Sequence, residues 1–284
     1  MKTGIIVIFL SLSFQVAVAQ DSISSKQNIP FVLGRIDQIY SKILSEKRVL
    51  NIYLPAGYQG DGSTRYPVIY LLDGSADEDF IHIAGLVQFL NFPWVNILPK
   101  SILVGIANVD RKRDFTFPTT IAEDKKESPT SGGSQKFISF IENELQPFIE
   151  RNYKTNSSKT IIGQSLGGLL DTQILFEKPE LFTNYIIVSP ILWWNNESLL
   201  TTVSKFKNKD FIQRTSIYVA VGNEGKIMKG DAEKLISILQ KNHQKNLLVH
   251  FRYFPGENHG AILHRAVYAA FEYFNKDNES KIKK

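Results

Sequence analysis

Short apolar runs alternate along the chain with longer segments in which apolar residues recur every three or four positions. Runs of the first kind are typical of buried strands, and segments of the second kind are typical of amphipathic helices. After an opening hairpin, the predicted strands cover 67–72, 101–106, 160–162, 185–188, 216–221 and 247–254. The predicted helices cover 79–90, 134–152, 166–176, 232–239 and 261–274. This order predicts an α/β fold with a mostly parallel central sheet of about eight strands and helices on both faces.

Three features refine this architecture. The segments 34–44 and 48–54 alternate apolar with polar residues, which predicts an antiparallel hairpin at the edge where the sheet starts. In the helix over 134–152, Ser134 is placed to cap the first turn, and Pro147 is expected to kink or break the helix. The stretch 108–133, rich in charged residues and threonine, is predicted to be a long surface loop over the strand ends, where such folds keep their chemistry.

The composition indicates one large globular domain. The chain has 284 residues, of which 43% are hydrophobic and 12% aromatic. Because it contains no cysteine, disulfides, thiolate metal sites and a cysteine nucleophile are excluded. The net charge of +5 is mildly basic, and lysine-rich segments such as 205–209 and 281–284 are typical of solvated surface. We therefore infer no nucleic-acid partner.

The first residues have the pattern of an export signal. Lys2 precedes an apolar run over 5–10, and Ala17-Val18-Ala19 offers the small residues at which a signal peptidase cuts. The run is too short for a membrane anchor, because a span needs about 20 unbroken apolar residues. We expect a signal peptide at 1–19, a disordered or extended segment at 20–30, a catalytic domain at 31–276 and a charged tail at 277–284. The mature protein is expected to be soluble, either periplasmic or secreted, with no membrane anchor.

The central chemical feature is a Gly-x-Ser-x-Gly pattern between a predicted strand and a predicted helix. It reads Gly163-Gln164-Ser165-Leu166-Gly167, and Gly168 follows. A serine exposed above a sheet sits on a strained strand-to-helix turn, and the residues two before and two after it have to be small so that strand and helix can approach. The helix N-terminus also directs N–H groups toward a developing oxyanion. Ser165 is therefore the predicted nucleophile.

The general base and the acid are expected to follow the serine in the order acid, then histidine. His259 lies in a turn-forming stretch between the last strand and the last helix, where a loop can carry an imidazole over the serine. The other histidines after the serine lie in a solvated segment, inside a strand and inside the final helix, at His243, His250 and His264. Glu224, directly after the strand 216–221, is the preferred acid. Asp231, which is well placed as a helix N-cap, is the alternative, and a Ser-His dyad also stays open.

An oxyanion hole requires two backbone donors. One is expected from the N–H of Leu166, directly after the nucleophile, and the other from the loop that follows the third strand. That loop reads Asp73-Gly74-Ser75, so the N–H of Ser75 is the second candidate. The competing interpretation of this segment is an ordinary turn.

Several segments together resemble a family of α/β-hydrolases that includes esterase D, siderophore esterases and feruloyl or acetylxylan esterases. The resemblance covers about 39–274 and rests on RVLNIYLP at 48–55, YPVIYLLDG at 66–74, Arg113-Asp114, Ser131-Gly132-Gly133, 163–168, Trp193-Trp194 and 257–260. It implies the α/β-hydrolase fold, catalytic roles for Ser165 and His259, and a pocket lined by Asp114 and Trp194. Gln164, where many relatives carry histidine, is expected to tune that pocket. The alternatives are a local ion pair for Arg113-Asp114 and core packing for Trp193-Trp194.

The predicted function is hydrolysis of a carboxylic ester through an acyl-enzyme, on a small-molecule or carbohydrate-linked substrate. No metal or cofactor is required for this chemistry. Two alternatives are an acyltransferase with the same nucleophile and a non-catalytic binding protein on a hydrolase scaffold.

Overall fold

The computed structural model describes residues 28–201, 211, 213–241 and 246–282, with side chains up to residue 276. Leu33–Lys284 form one compact unit, and Met1–Val32 form another, in which the described residues 28–32 have no regular secondary structure. The predicted signal peptide, the lysine cluster at 205–209 and His243 lie outside the described residues. No described helix is both long enough and apolar enough to cross a bilayer.

The described part of the chain contains one eight-stranded sheet in the order β1-β2-β4-β3-β5-β6-β7-β8. The strands are β1 (Arg35–Ser41), β2 (Glu46–Tyr53), β3 (Tyr66–Leu71), β4 (Ile102–Ile106), β5 (Thr155–Gln164), β6 (Asn184–Val188), β7 (Thr215–Gly222) and β8 (Leu247–Phe254). β1 and β2 run antiparallel at one edge, and every pair from β4 to β8 in the sheet order is parallel. The predicted α/β-hydrolase fold, with its antiparallel opening hairpin, is confirmed.

Helices cover both faces of the sheet. They are α1 (Phe80–Leu90), α2 (Arg111–Phe115), α3 (Ala122–Glu127), α4 (Ser134–Phe140), α5 (Gln146–Asn152), α6 (Leu166–Glu177), α7 (Trp194–Thr201), α8 (Lys226–Lys241) and α9 (Ile262–Ile282). A π-helical turn, Ile141–Leu145, joins α4 to α5, and a 3₁₀ turn, Pro179–Leu181, follows α6. Each parallel connection runs from the carboxyl end of a strand into a loop, so the loops before α1, α6 and α9 all open at one edge of the sheet.

The central strands are buried on both faces, which explains their continuous apolar sequence. In β3, Val68 and Tyr70 pack into the core formed with α4, α5, α6 and α8, whereas Ile69 and Leu71 pack into the core formed with α1 and α9. Burying one side chain of this size contributes roughly 1.5–3 kcal/mol. Two cores on one sheet hold the strand ends, and hence the site loops, in fixed positions.

Three helix ends differ from the sequence predictions. Ser134 does not cap its helix: Gly133 occupies the N-cap, and Ser134 is the first helical residue with its hydroxyl buried. The interruption expected at Pro147 lies just before it, as the π-helical turn Ile141–Leu145, and the helix then continues with Pro147 in the first turn of α5, where a missing N–H is tolerated. The last helix continues to Ile282, through the predicted tail, since no glycine or proline interrupts it.

Candidate active site

The predicted nucleophile lies on a strained turn between β5 and α6. Ser165 has φ 63° and ψ −118°, a conformation that costs energy for any residue with a Cβ and is typical of functional sites. The turn is held by the Ser165 N–H, which donates to the Val188 carbonyl at 3.0 Å, and by the Leu169 N–H, which donates to the Ser165 carbonyl at 3.0 Å. A Cβ on Gly163 would lie 2.6 Å from the Gly167 backbone, so the glycine permits the close approach of strand and helix.

The predicted base and the preferred acid are in direct contact. His259 lies in the loop between β8 and α9 with its side chain 44% exposed, and its Nδ1 is hydrogen-bonded to Oε2 of Glu224. Glu224 follows β7 and is 5% exposed. Its other oxygen, Oε1, accepts a hydrogen bond from the Gly222 N–H at 2.9 Å. This arrangement leaves Nε2 as the imidazole nitrogen that is free to exchange a proton.

A second serine supports the acid, and the sequence reasoning did not find it. Ser189 directly follows β6, is fully buried and donates from its hydroxyl to Oε1 of Glu224 at 2.5 Å. Its φ of 43° lies in the left-handed region, and its N–H donates to the Ala220 carbonyl of β7 at 2.8 Å. In the sequence, Ser189 is only a polar residue at the end of an apolar strand. Its role depends on the position of β6 in the sheet, between β5, which leads to the nucleophile, and β7, which leads to the acid.

The alternative acid, Asp231, lies elsewhere. It is in the second turn of α8 rather than at its N-cap, it is 2% exposed, and its Oδ1 accepts from Lys234 Nζ at 3.0 Å. The helix begins six residues earlier than the apolar pattern indicated, at Lys226 instead of residue 232, which moves Asp231 into its interior. Burial raises the pKa of Asp231 above its ordinary value. Both the N-cap role and a contact with the imidazole are therefore inconsistent with the structure.

Gln164 joins the histidine loop to the nucleophile turn. Its Nε2 donates a hydrogen bond to the backbone carbonyl of His259. Because Gln164 immediately precedes Ser165, this bond places the backbone of the histidine against the turn that carries the serine. The predicted contribution of Gln164 to a substrate pocket stays a prediction, and its amide nitrogen has a protein partner.

The two candidate oxyanion donors lie at the ends of adjacent strands. Leu166 is the first residue of α6, so its N–H has no acceptor within the helix. Ser75 follows a tight turn in which the Gly74 N–H donates to the Ile106 carbonyl at 3.0 Å and the Gly74 carbonyl accepts from Asn51 Nδ2 at 2.8 Å. Within the described residues, no hydrogen bond from the Ser75 N–H is present. A Cβ on Gly74 would lie 2.4 Å from Gly105 Cα, which explains the glycine.

Arg111 connects the two turns that carry these donors. Its Nε and Nη2 donate to Oδ1 and Oδ2 of Asp73 at 2.6 and 2.8 Å, and Nη2 also lies 3.3 Å from the Gln164 carbonyl. This bidentate pair fixes the backbone before Ser75, and the contact with Gln164 fixes the backbone before Ser165. Arg111 is not among the residues predicted from the sequence, since a lone arginine in a charged loop carries no specific signal.

Two carboxyl groups near these turns have raised pKa values. Burial, together with the charges of Asp73 and Glu78, raises the pKa of Asp79 to about 6. Asp171 in α6 is fully buried, its oxygens have no hydrogen-bond partner in the described part of the chain, and burial raises its pKa well above the ordinary value. Burial without a hydrogen-bond partner therefore favours the protonated form of Asp171, beneath the nucleophile turn.

The two residues expected to line a pocket from the family resemblance are structural. Asp114 has no exposed surface, and its two oxygens accept from Arg48 Nη1 at 2.7 Å and Arg113 Nε at 2.8 Å. Trp194 is 5% exposed and donates from Nε1 to the Phe117 carbonyl at 2.9 Å. The alternatives of an ion pair and of core packing describe them better, because neither side chain offers free surface to a substrate.

No group of three or more His, Asp or Glu side chains among the described residues is arranged to hold a metal ion. The residues brought together at the strand ends are a serine turn, an imidazole–carboxylate pair and two backbone N–H groups. These parts match the requirements of acyl transfer from an ester.

Comparison with known proteins places this geometry in a family. The Esterase family matches residues 41–271. The ferri-bacillibactin esterase BesA of Bacillus subtilis is 32% identical over 238 residues, which are 77% of this chain and 82% of BesA. The siderophore triacetylfusarinine C esterase of Aspergillus fumigatus is 30% identical over 178 residues, covering 55% of this chain and 56% of that protein.

A solved structure of a serine hydrolase is also similar to this chain over most of its length. The IroE-like serine hydrolase of Shewanella oneidensis superimposes with a TM-score of 0.78 and 30% identity, covering 86% of this chain and 80% of that chain. Together with the match over 41–271, this similarity shows that the chain belongs to the esterase family of α/β-hydrolases and is a carboxylic ester hydrolase.

Proposed function

We propose that this chain hydrolyses carboxylic esters by a Ser-His-Glu mechanism, with Ser165 as nucleophile, His259 as general base and Glu224 as the acid that orients it. The observation that carries the proposal is the bond between Glu224 and His259 Nδ1, in a loop that Gln164 holds against the nucleophile turn. An imidazole fixed through Nδ1 presents Nε2 as proton acceptor, which is the function that a serine nucleophile requires.

The reaction has two steps. His259 Nε2 takes the proton of the Ser165 hydroxyl as the oxygen attacks the ester carbonyl, and the N–H groups of Leu166 and Ser75 bind the oxyanion. The C–O bond to the alcohol then breaks, the alcohol leaves with the proton from His259, and an acyl-serine remains. A water molecule attacks the acyl carbon after giving a proton to His259. Release of the carboxylic acid restores Ser165 and its proton.

The substrate class that we propose is a siderophore ester. Support comes from the relatives: one is named for ferri-bacillibactin and one for the siderophore triacetylfusarinine C, and they come from a bacterium and a fungus. A carbohydrate-linked ester, the other class predicted from the sequence, is the alternative that a substrate comparison separates.

We also propose that the protein is exported. The support is confined to the sequence, in which Lys2, the apolar run 5–10 and Ala17-Val18-Ala19 form a signal-peptide pattern. N-terminal sequencing of the protein recovered from the periplasm or the medium is expected to start at Gln20. A cytoplasmic protein that retains Met1 or Lys2 would contradict this proposal.

The decisive experiment measures hydrolysis of a siderophore lactone and of acetyl, feruloyl and short-chain aryl esters. The proteins compared are wild type, Ser165→Ala and the control Ser139→Ala, since Ser139 is only half-buried on α4 and its hydroxyl bonds its own helix. We expect Ser165→Ala to lower kcat by at least about 10⁴-fold and Ser139→Ala to leave it unchanged.

Two further measurements separate the alternatives. An acyl group recovered mainly on an added sugar or alcohol would indicate an acyltransferase rather than a hydrolase. Failure of a fluorophosphonate to label Ser165, together with inactivity of wild type on every ester, would indicate a binding protein on a hydrolase scaffold.

A further inference from the structure

A second concave site lies between α1 and α9, outside the residues assigned to catalysis. It has a cavity volume of about 610 Å³, which is within the usual range of roughly 300–1,000 Å³ for small-molecule sites. Its apolar wall is formed by Leu86, Phe254, Tyr268 and Ala269. We refer to it as the α1/α9 groove.

Basic side chains face this groove from three elements. His82 comes from α1, Arg252 from β8, and His264 and Arg265 from α9. The rings of His82 and His264 meet edge to face with centroids 5.0 Å apart, and the guanidinium of Arg252 lies 4.7 Å from the centre of the Phe254 ring. Together they form a polar cluster next to an aromatic surface.

Arg252 has no carboxylate at ion-pair distance in the described part of the chain. Arg265 pairs with Glu257 at 3.1 Å, whereas the described ranges contain no ion pair of Arg252, which acts together with Glu272 on the pKa of Tyr218. Glu272 is the one acidic residue among the lining residues, and it lies eight positions beyond His264, about 12 Å along the helix axis. A ligand anion at the histidine end would therefore meet a guanidinium and two imidazoles.

Gly85 adds an independent observation. It lies in the second turn of α1, where glycine costs about 0.5–1 kcal/mol relative to alanine, and a Cβ built on it would meet nothing within 4 Å. No neighbouring atom therefore requires glycine at position 85. Its effect is to keep the α1 wall of the groove open, so that a flat group can approach the helix backbone.

We propose that the α1/α9 groove binds a small aromatic carboxylate. The carboxylate lies against Arg252, His82 and His264, and the ring packs on Phe254 and Tyr268 beside Gly85. Charge-assisted hydrogen bonds from a guanidinium and an apolar surface for one ring match this class of ligand. The inference is independent of the catalytic roles proposed above, because none of these side chains belongs to them.

The test is ligand-observed fluorine NMR of the full protein with 4-fluorobenzoate. The neutral probe 4-fluorobenzamide has the same ring and nearly the same size. We expect the carboxylate to bind and the amide to bind at least about tenfold more weakly, because the amide loses the charge-assisted contacts. Arg252→Gln is expected to weaken 4-fluorobenzoate binding by a similar factor.

Gly85→Leu tests the position of the ligand without removing a charge. Open space at Gly85 means that the leucine is accommodated in the fold while it fills the groove, so binding is expected to be lost with the thermal midpoint retained. Two controls, Arg151→Gln on the exposed end of α5 and Arg111→Gln beside the nucleophile turn, are expected to keep wild-type affinity.

Each opposite result overturns the proposal. Equal binding of the amide would show that the anion is not recognised. Unchanged binding in Gly85→Leu or Arg252→Gln would show that the ligand binds outside the groove, and loss of binding only in Arg111→Gln would place it in the catalytic cleft. Absence of any binding at millimolar probe would show that the groove has no such ligand, whether or not Ser165 is the nucleophile.

Discussion

Replacement of Glu224 by glutamine tests the assignment of the acid with a change of one atom. The carbonyl oxygen of the new amide can still accept from the Ser189 hydroxyl and the Gly222 N–H, which are both donors. The amide NH₂ then faces Nδ1 of His259, where the wild-type carboxylate oxygen accepts. Because an NH₂ group donates, Nδ1 has to become the acceptor and the ring proton moves to Nε2. The imidazole then presents a proton to Ser165 in place of a lone pair.

The expected loss is large in rate and small in stability. The corresponding carboxylate-to-amide change in a serine triad lowers kcat by about 10⁴-fold, which corresponds to about 5.5 kcal/mol. The two retained hydrogen bonds become neutral ones, so the free energy of unfolding should fall by only about 1–2 kcal/mol. A protein that is fully folded and almost inactive is therefore the expected result.

The assay is steady-state hydrolysis of an aryl ester, with thermal unfolding measured on the same samples. Asp231→Asn is the matched control, because Asp231 is also a buried acid after β7 but bonds Lys234. We expect the control to retain wild-type kcat. A Glu224→Gln protein within tenfold of wild-type kcat, or an equal loss in Asp231→Asn, would refute the proposed role of Glu224 and leave a Ser-His dyad.

Three further predictions concern stability, measured by chemical denaturation. Gly230→Ala in α8 should stabilise the protein by about 0.5–1 kcal/mol, because a Cβ there meets nothing within 4 Å, whereas Gly163→Ala should destabilise it and abolish activity. Arg48→Met should cost about 3–5 kcal/mol, because it removes a buried partner of Asp114, and adding Asp114→Leu should restore part of the loss. Asp79→Asn should gain stability over wild type as pH rises from the unfolded pKa of 3.8 to the folded pKa of about 6, because ionisation of buried Asp79 opposes folding; equal pH profiles would contradict this.

Local patterns in the sequence were sufficient for most of the fold. Most strands of the sheet follow from apolar runs such as that of β3, in which Ile69 and Tyr70 are buried on opposite faces, and such a run can be recognised without knowledge of the rest of the chain. Helix ends were less predictable. α8 begins at Lys226, in a segment with few apolar residues, where tertiary contacts hold the first turn: Met228 is buried, and the Lys229 ammonium lies 4.5 Å from the centre of the Tyr253 ring of β8.

The site residues divide in the same way into those with a local sequence pattern and those that depend on distant contacts. Ser165 could be found because its glycines solve a local steric problem between one strand and one helix. Ser189 and Arg111 could not, because each acts on a residue more than thirty positions away, Ser189 on Glu224 and Arg111 on Asp73. The pocket role of Asp114 was expected from the family resemblance, and local sequence could not correct it, because the burial of Asp114 depends on a contact with the distant Arg48 in β2.

The arrangement of the site therefore depends on the register of four adjacent parallel strands. In β5, β6, β7 and β8, the pairs Gln164↔Val188, Val188↔Ala220 and Gly222↔Phe254 align the strand ends. That alignment places Ser189 beside Glu224 and, through the loop after β8, His259 beside both Glu224 and Gln164. A shift of one residue in any of these pairs would move a strand end by about 3.3 Å and reverse the side chains that it presents. Because hydrogen-bond geometry tolerates only a few tenths of an ångström, the buried apolar faces that fix the register are as necessary to the proposed chemistry as the serine itself.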